Sequence, residues 1–334
     1  VLPLFLLMTI VPSSSHGQDE PPLAVLMSVH GSVSVVSASG VTRPAVFGMH
    51  LHPGDEVRTG RGSSAEVLFS SGNLVEIGSN SRTGVGRRPA ASQGTSPGFE
   101  SVRNFLRLKE SRGTSTVGRL RSGEPRRELW LERPCQSRVD PDHLVFSWKT
   151  RQDPLEVKFT LYDDHGVLWE TTVGGATELR YPEDAPRLRP GTAYSWTVET
   201  ADPLVIPPLR SPVGFFEVLG TEEMERVNEE LALPGEREES GAEETVAPGR
   251  PTDSKRSAPS GWHLYRASVY YDHGMLDRAI EETSIALRED PSNDDLRGIL
   301  ARLLGEAGRS MEAVNQYDRL LTPHQETTSP GDTR

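Results

Sequence analysis

Gly274-Met275-Leu276-Asp277-Arg278-Ala279 and Gly308-Arg309-Ser310-Met311-Glu312-Ala313 each begin with glycine and end with alanine, and they lie 34 positions apart. The correspondence continues upstream, where Ala267 is repeated as Ala301. Glycine permits the tight turn between two helices, and small alanines let the helices approach closely. Pro291, after Glu289-Asp290, ends the helix that follows the first turn. A fixed period of this length marks a helix–turn–helix unit stacked on its own copy. The array is expected over 259–323, with a disordered tail over 324–334.

Tyr270, Gly274, Ala279, Ala286 and Pro291 sit where the tetratricopeptide repeat places its marker residues, and the segment resembles that family. In the second unit Ala301, Gly308, Ala313 and Tyr317 match, whereas Leu320 and Gln325 replace a small residue and a proline. That departure reads as a terminal unit. The resemblance implies a unit that binds proteins and performs no chemistry. It places Tyr271, Asp272, Arg302 and Glu306 on the concave first-helix face as partner-binding residues. Two repeats are fewer than the three an independent array needs. Met224, Val227 and Leu231 define a short amphipathic helix at 222–233; either that helix or self-association would cover the exposed end.

Working outward, residues 24–86 show period-two patterning. Val29, Val33 and Val35 alternate with polar residues, as do Ala65, Val67 and Phe69, and Ser71-Gly72-Asn73 turns the chain before Val75 and Ile77. Gly31-Ser32-Val33, Gly48, Leu51, Pro53-Gly54-Asp55-Glu56-Val57-Arg58-Thr59-Gly60, Ala65-Glu66-Val67, Phe69, Gly72 and Val75-Glu76-Ile77 follow in the order and spacing of the FecR domain. The segment resembles that family, named from a periplasmic iron-transport signalling protein. Over 87–128 alternation is lost and basic residues outnumber acidic ones ten to four. This stretch reads as a solvated basic linker containing a small, polar loop from Ala90 to Gly98; the sharper alternative is a patch for anionic lipid or polysaccharide.

Strands return over 129–219. Leu144, Phe146 and Trp148 alternate, as do Val157, Phe159 and Leu161, and Asp163-Asp164-His165-Gly166 is a turn. Leu188-Arg189-Pro190-Gly191 leading into Tyr194-Ser195-Trp196-Thr197-Val198 resembles the fibronectin type III pattern. The resemblance implies a β-sandwich in which the Tyr194 hydroxyl returns to upstream backbone and Trp148 fills the core. After the short helix, Pro234 onward is acidic and lacks periodicity. The span 220–258 is therefore a short helix plus a disordered linker.

A net charge of −12 argues against nucleic-acid binding. A hydrophobic fraction of 35%, with 31 Gly and 26 Pro, fits small β-rich modules and linkers better than one large enzyme core. Residues 1–17 open with a predominantly apolar run of eleven residues from Val1 to Val11, too short to span a bilayer. They read as a secretory signal peptide cleaved near Gly17. No later stretch is apolar enough to cross a membrane. Cys135 is the single cysteine, so no internal disulfide forms, and it reads as a buried, inert thiol.

Chemistry-bearing constellations are scarce. His50, His52 and Glu56 have the spacing of the first cupin metal motif, yet no histidine follows until His143, and the turn at Pro53-Gly54-Asp55 already has a FecR-like explanation. Phosphate-cradling and nucleophile-elbow motifs are missing. No cofactor is expected.

The expected architecture is multidomain: a FecR-like β domain, a fibronectin type III-like β-sandwich and C-terminal tetratricopeptide-like α-helical repeats. The expected function is a non-enzymatic bacterial envelope adaptor or scaffold, periplasmic or secreted, that binds envelope proteins and, as a further option, glycans or anionic surfaces. The alternatives are a FecR-like periplasmic signalling sensor and a cupin-like metalloenzyme at His50, His52 and Glu56.

Overall fold

Alternating apolar residues in the first part of the chain build eight short strands: β1 (Ala24–His30), β2 (Val33–Val36), β3 (Thr42–Pro44), β4 (His50–Leu51), β5 (Glu56–Thr59), β6 (Ser64–Phe69), β7 (Leu74–Ile77) and β8 (Arg82–Gly84). A computed structural model describes residues 21–86, 96–109, 129–150, 156–201, 207–232 and 260–321. The strands form two four-stranded antiparallel sheets, ordered β4-β1-β6-β7 and β3-β2-β5-β8. Leu26, Val35, Leu51, Val57, Ala65 and Val67 are buried between them. Gly54 takes a φ of +87° in the turn before β5. A Cβ there would stand 2.9 Å from the Ala38 Cβ, so both conformation and space require glycine.

The following segment departs from the expected linker. Pro97–Leu106 is a helix, α1, and Arg107–Lys109 continues it as a 3-10 turn. Ser96 caps it, its hydroxyl accepting from the Phe99 N–H at 3.3 Å, with proline in the first turn. Phe99, Val102, Phe105 and Leu106 form one buried stripe. The net basic count over 87–128 concealed this stripe. The expected loop at Ala90 to Gly98 is likewise cut short, because Pro97 and Gly98 open the helix; residues 87–95 and 110–128 lie outside the described ones.

Eight further strands form a second β unit: β9 (Leu129–Arg133), β10 (Ser137–Val139), β11 (Val145–Thr150), β12 (Val157–Asp163), β13 (Gly166–Val173), β14 (Glu178–Arg180), β15 (Ala193–Thr200) and β16 (Gly214–Val218). One sheet runs β10-β16-β15-β12-β13 and the other β14-β11-β9; every pairing is antiparallel except β10 with β16. The two sheets enclose Phe146, Trp148, Phe159, Trp196 and Phe216. Phe146 meets Phe159, Trp196 and Phe216 edge-on at centroid distances of 4.7, 5.0 and 5.6 Å, the arrangement that ring quadrupoles favour. The buried Tyr194 hydroxyl accepts from the Arg189 N–H at 2.8 Å and so ties the strand to upstream backbone.

Helix α2 (Thr221–Leu231) follows directly, and the chain is next described from α3 (Ser260–Asp272), α4 (Leu276–Glu289), α5 (Asp294–Glu306) and α6 (Ser310–Leu321). The two hairpins repeat their turn geometry as well as their sequence. Gly274 and Gly308 have φ of +72° and +74°. Met275 N–H donates to Tyr270 at 2.8 Å, and Arg309 N–H, 34 residues on, donates to Leu304 at 2.8 Å. Each bond satisfies a carbonyl that the helix end would leave orphaned.

One core joins the first β unit to the helices, while the sandwich keeps a core of its own. Val25, Met27 and Leu68 of the first sheet pack with the α1 stripe, with Val227 of α2 and with the apolar faces of α3 to α5. The segments expected as a signal peptide (1–17), an acidic linker (234–258) and a tail (324–334) lie outside the described residues. Among the described residues, no helix is long and apolar enough to cross a membrane.

Candidate interaction surfaces

Helices α3 and α5 are the first helices of the two hairpins, and they carry the four residues expected to bind a partner. Tyr271 and Asp272 end α3, while Arg302 and Glu306 lie in the last turns of α5. The fold gathers them. The Tyr271 hydroxyl donates to Glu306 Oε2 at 3.3 Å, and Arg302 Nε donates to Glu306 Oε1 at 2.9 Å. Burial, followed by the negative charge of Glu306, pushes the Tyr271 hydroxyl above its ordinary pKa, and exposed Asp272 adds to that field. The result is a polar rim of one cation, two carboxylates and a phenol.

The remainder of that first-helix face is already occupied. Helix α1 packs along α3, and its 3-10 extension reaches α5. Phe105 meets Tyr271 edge-on at 5.7 Å. Gly98 lies so close to α3 that a Cβ would fall 2.1 Å from the Tyr265 hydroxyl. Lys109 Nζ donates to the Phe47 carbonyl at 3.1 Å and stands 3.7 Å from Asp295 Oδ2. The rim lies at the C-terminal ends of α3 and α5, with Tyr271 at its border against Phe105 of α1. The capping serine and proline at 96–97 were the readable signal for it.

A second surface lies at the seam between the sandwich and the helical hairpins. Asp277, in the first turn of α4, donates its N–H to Ser137 Oγ at 3.2 Å. Both its carboxylate oxygens are buried and make no hydrogen bond of normal geometry. The Ser137 hydroxyl is directed elsewhere, donating to the Arg138 carbonyl at 3.2 Å. Burial pushes the Asp277 carboxyl up to about 7, although Arg309, Ser137 and the Cys135 amide pull the other way. Cys135 is buried beside it, and burial, then Asp277, raises the thiol to about 12. That thiol is protonated and inert at physiological pH. A polar crevice of about 290 Å³ lined by Arg133, Arg138 and Arg278 flanks Asp277 on one side. A larger groove of about 460 Å³ lies at the seam between β9, the start of β16 and the α5–α6 turn.

The histidines of the cupin-like spacing sit elsewhere. His50 is exposed on β4, the His52 backbone N–H donates to Asp55 Oδ2 at 2.9 Å, and Glu56 pairs with Arg58 Nε at 2.5 Å. Asp55 therefore serves the turn, and Glu56 is engaged within its own strand. Among the described residues no group of three or more His, Cys, Asp or Glu could hold a metal ion.

No family model and no curated protein matches the chain. Among solved structures, a chain named "Cell surface anchoring domain" shares 29% sequence identity over a match covering 20% of this chain and 87% of that one, with a TM-score of 0.19.

Proposed function

We propose that this chain is a non-enzymatic adaptor of the bacterial envelope, periplasmic or secreted, that holds partner proteins. In this reading residues 24–86 are a FecR-like domain, 129–219 a fibronectin type III-like sandwich and 260–321 a tetratricopeptide-like pair. The observation that carries it is the 34-residue repeat, with its two hairpins and matched glycine turns, an architecture whose use is to present a binding surface. Tyr271, Asp272, Arg302 and Glu306 form the polar rim that a partner would meet.

The test uses the full chain, crosslinked in envelope fractions and co-purified, beside an Arg302→Glu/Glu306→Arg double variant. Reversal exchanges the signs while leaving an intrahelical pair possible, so folding should survive. A partner held by the wild type and released by the variant supports the reading. Capture of no protein by either chain would overturn it.

A further inference from the structure

The groove at the seam is bordered by backbone as much as by side chains. Trp130, Leu131 and Glu132 of β9 all line it. Successive side chains of a strand point to opposite faces, so three consecutive residues meet one cavity only along the strand's edge. That edge is open: β9 ends its sheet and pairs with β11 alone among the described strands. The opposing wall is Pro212 and Val213 with the first two residues of β16, Gly214 and Phe215, and the α5–α6 turn closes the end.

The side chains around it combine exposed apolar groups with polar Gln136 and Asn315 and with charges that balance one another. Val213, Phe215 and Met311 are 48%, 49% and 58% exposed and converge here from two separate units. Single exposed hydrophobics are ordinary, whereas several on one concavity mark an interaction site. The charges beside them are paired with one another. Lys149 bonds to Glu132 and stands 3.7 Å from Glu312; Arg309 bonds to Glu312 at 2.7 Å and stands 3.9 Å from Glu132. With cations and anions matched, the site offers no net charge to an ionic ligand. Its complement is an uncharged, apolar, extended chain. The groove is also continuous with the existing sandwich–helix interface through Cys135 and Gln136, so a strand laid in it would extend a contact the protein already makes.

We propose that this groove docks an extended, uncharged apolar segment of a partner protein, which adds as a strand to the open edge of β9 while its apolar side chains cover Val213, Phe215 and Met311. Backbone hydrogen bonds would supply affinity and alternate side chains the selectivity, as in strand addition generally. This deepens the adaptor reading and rests on it, and it moves the main recognition site from the first-helix face, where α1 already lies, to the seam.

The experiment is fluorescence anisotropy on the full chain with a labelled peptide of alternating valine and threonine. An isomer N-methylated on the residues that would pair with β9 serves as the second probe. Saturable binding of the first probe is expected, with at least a tenfold loss for the N-methylated isomer and a similar loss for Phe215→Asp or Met311→Asp. Those side chains are exposed, so the variants should fold, and circular dichroism checks that they do. Equal binding of the two probes, no binding, or binding unaffected by both substitutions would overturn the proposal. So would a concentration-dependent dimer abolished by the same substitutions, because a second copy would then be the occupant. An envelope partner lost on Arg302/Glu306 reversal but retained by Phe215→Asp would sink the groove while leaving the adaptor reading standing.

Discussion

Replacing Asp277 by asparagine should make the protein more stable at neutral and alkaline pH while changing it little in acid. The carboxyl titrates near 3.8 in an unfolded chain and is pushed up to about 7 by burial in the folded one. The folded state therefore holds the proton more tightly. The linked stability is fully present below the unfolded value, falls as pH rises through the interval, and is lost above the folded value. Across that window the loss is on the order of 4 kcal/mol, without reduction for solvent screening because both oxygens are buried. The α4 N-terminus favours the anion, but a helix dipole supplies at most about 2 kcal/mol even in a partly buried geometry, too little to reverse the sign. Arg309 is the other candidate counterweight, yet its guanidinium is already bonded to Glu312. Asparagine has nearly the same shape and no titration. Urea unfolding of both proteins at about pH 4.5 and about pH 8, with unchanged m-values, isolates the Asp277 contribution as the difference between the two pH dependences. The variant should gain several kcal/mol relative to wild type between those pH values. Parallel curves would refute the burial argument, and a variant less stable at the higher pH would show that Arg309 holds an ionised Asp277 after all.

Three further outcomes test the packing. Gly98→Ala places a methyl where the Tyr265 ring and hydroxyl already stand, and should cost roughly 1–3 kcal/mol in a denaturation midpoint by overpacking. Glu66→Ala removes the carboxylate that accepts the buried Gly261 N–H at 2.6 Å, which should cost roughly 1–3 kcal/mol by orphaning a donor; Glu66→Gln retains an acceptor and should lose less. Cys135, held protonated by burial, should resist a thiol reagent at pH 8 in the native chain and react at once after unfolding; rapid native labelling would refute its burial and show that the groove admits reagent to the thiol.

What could be read in advance was local. The glycines at 274 and 308 announce their turns because a positive φ needs glycine, whatever lies around them. The run from Leu188 to Val198 carries its own turn and strand signals. The α1 stripe was equally local, since Ser96-Pro97 followed by Phe99, Val102, Phe105 and Leu106 is a capped amphipathic helix. It was hidden by averaging charge over a longer window. The four rim residues could be placed on one face by period alone, but the period says nothing about what covers that face. Nothing in the sequence around Asp277 marks its carboxylate as buried, because Ser137 and Cys135, which stand beside it, come from the distant sandwich.

The contacts that hold the units together explain why a short repeat suffices here. A helix leaves its first N–H groups and last carbonyls without partners, and in this chain other units supply them. Glu66 of β6 accepts from Gly261 at the start of α3, a contact between residues 195 apart in sequence. Ser137 of β10 accepts from Asp277 at the start of α4, 140 residues away. Tyr265 of α3 donates at 2.5 Å to the Glu230 carbonyl in the last turn of α2. With α1 and α2 packed on the same apolar surface, the hairpins are completed by the rest of the chain and need no third repeat. Deleting everything after the sandwich would then strip the cover from Phe99, Val102 and Phe105, each at most 1% exposed among the described residues, and create a sticky surface unrelated to partner recognition. Binding tests on this protein belong on the intact chain, with point changes at Arg302, Glu306, Phe215 and Met311, because those side chains leave the shared core undisturbed.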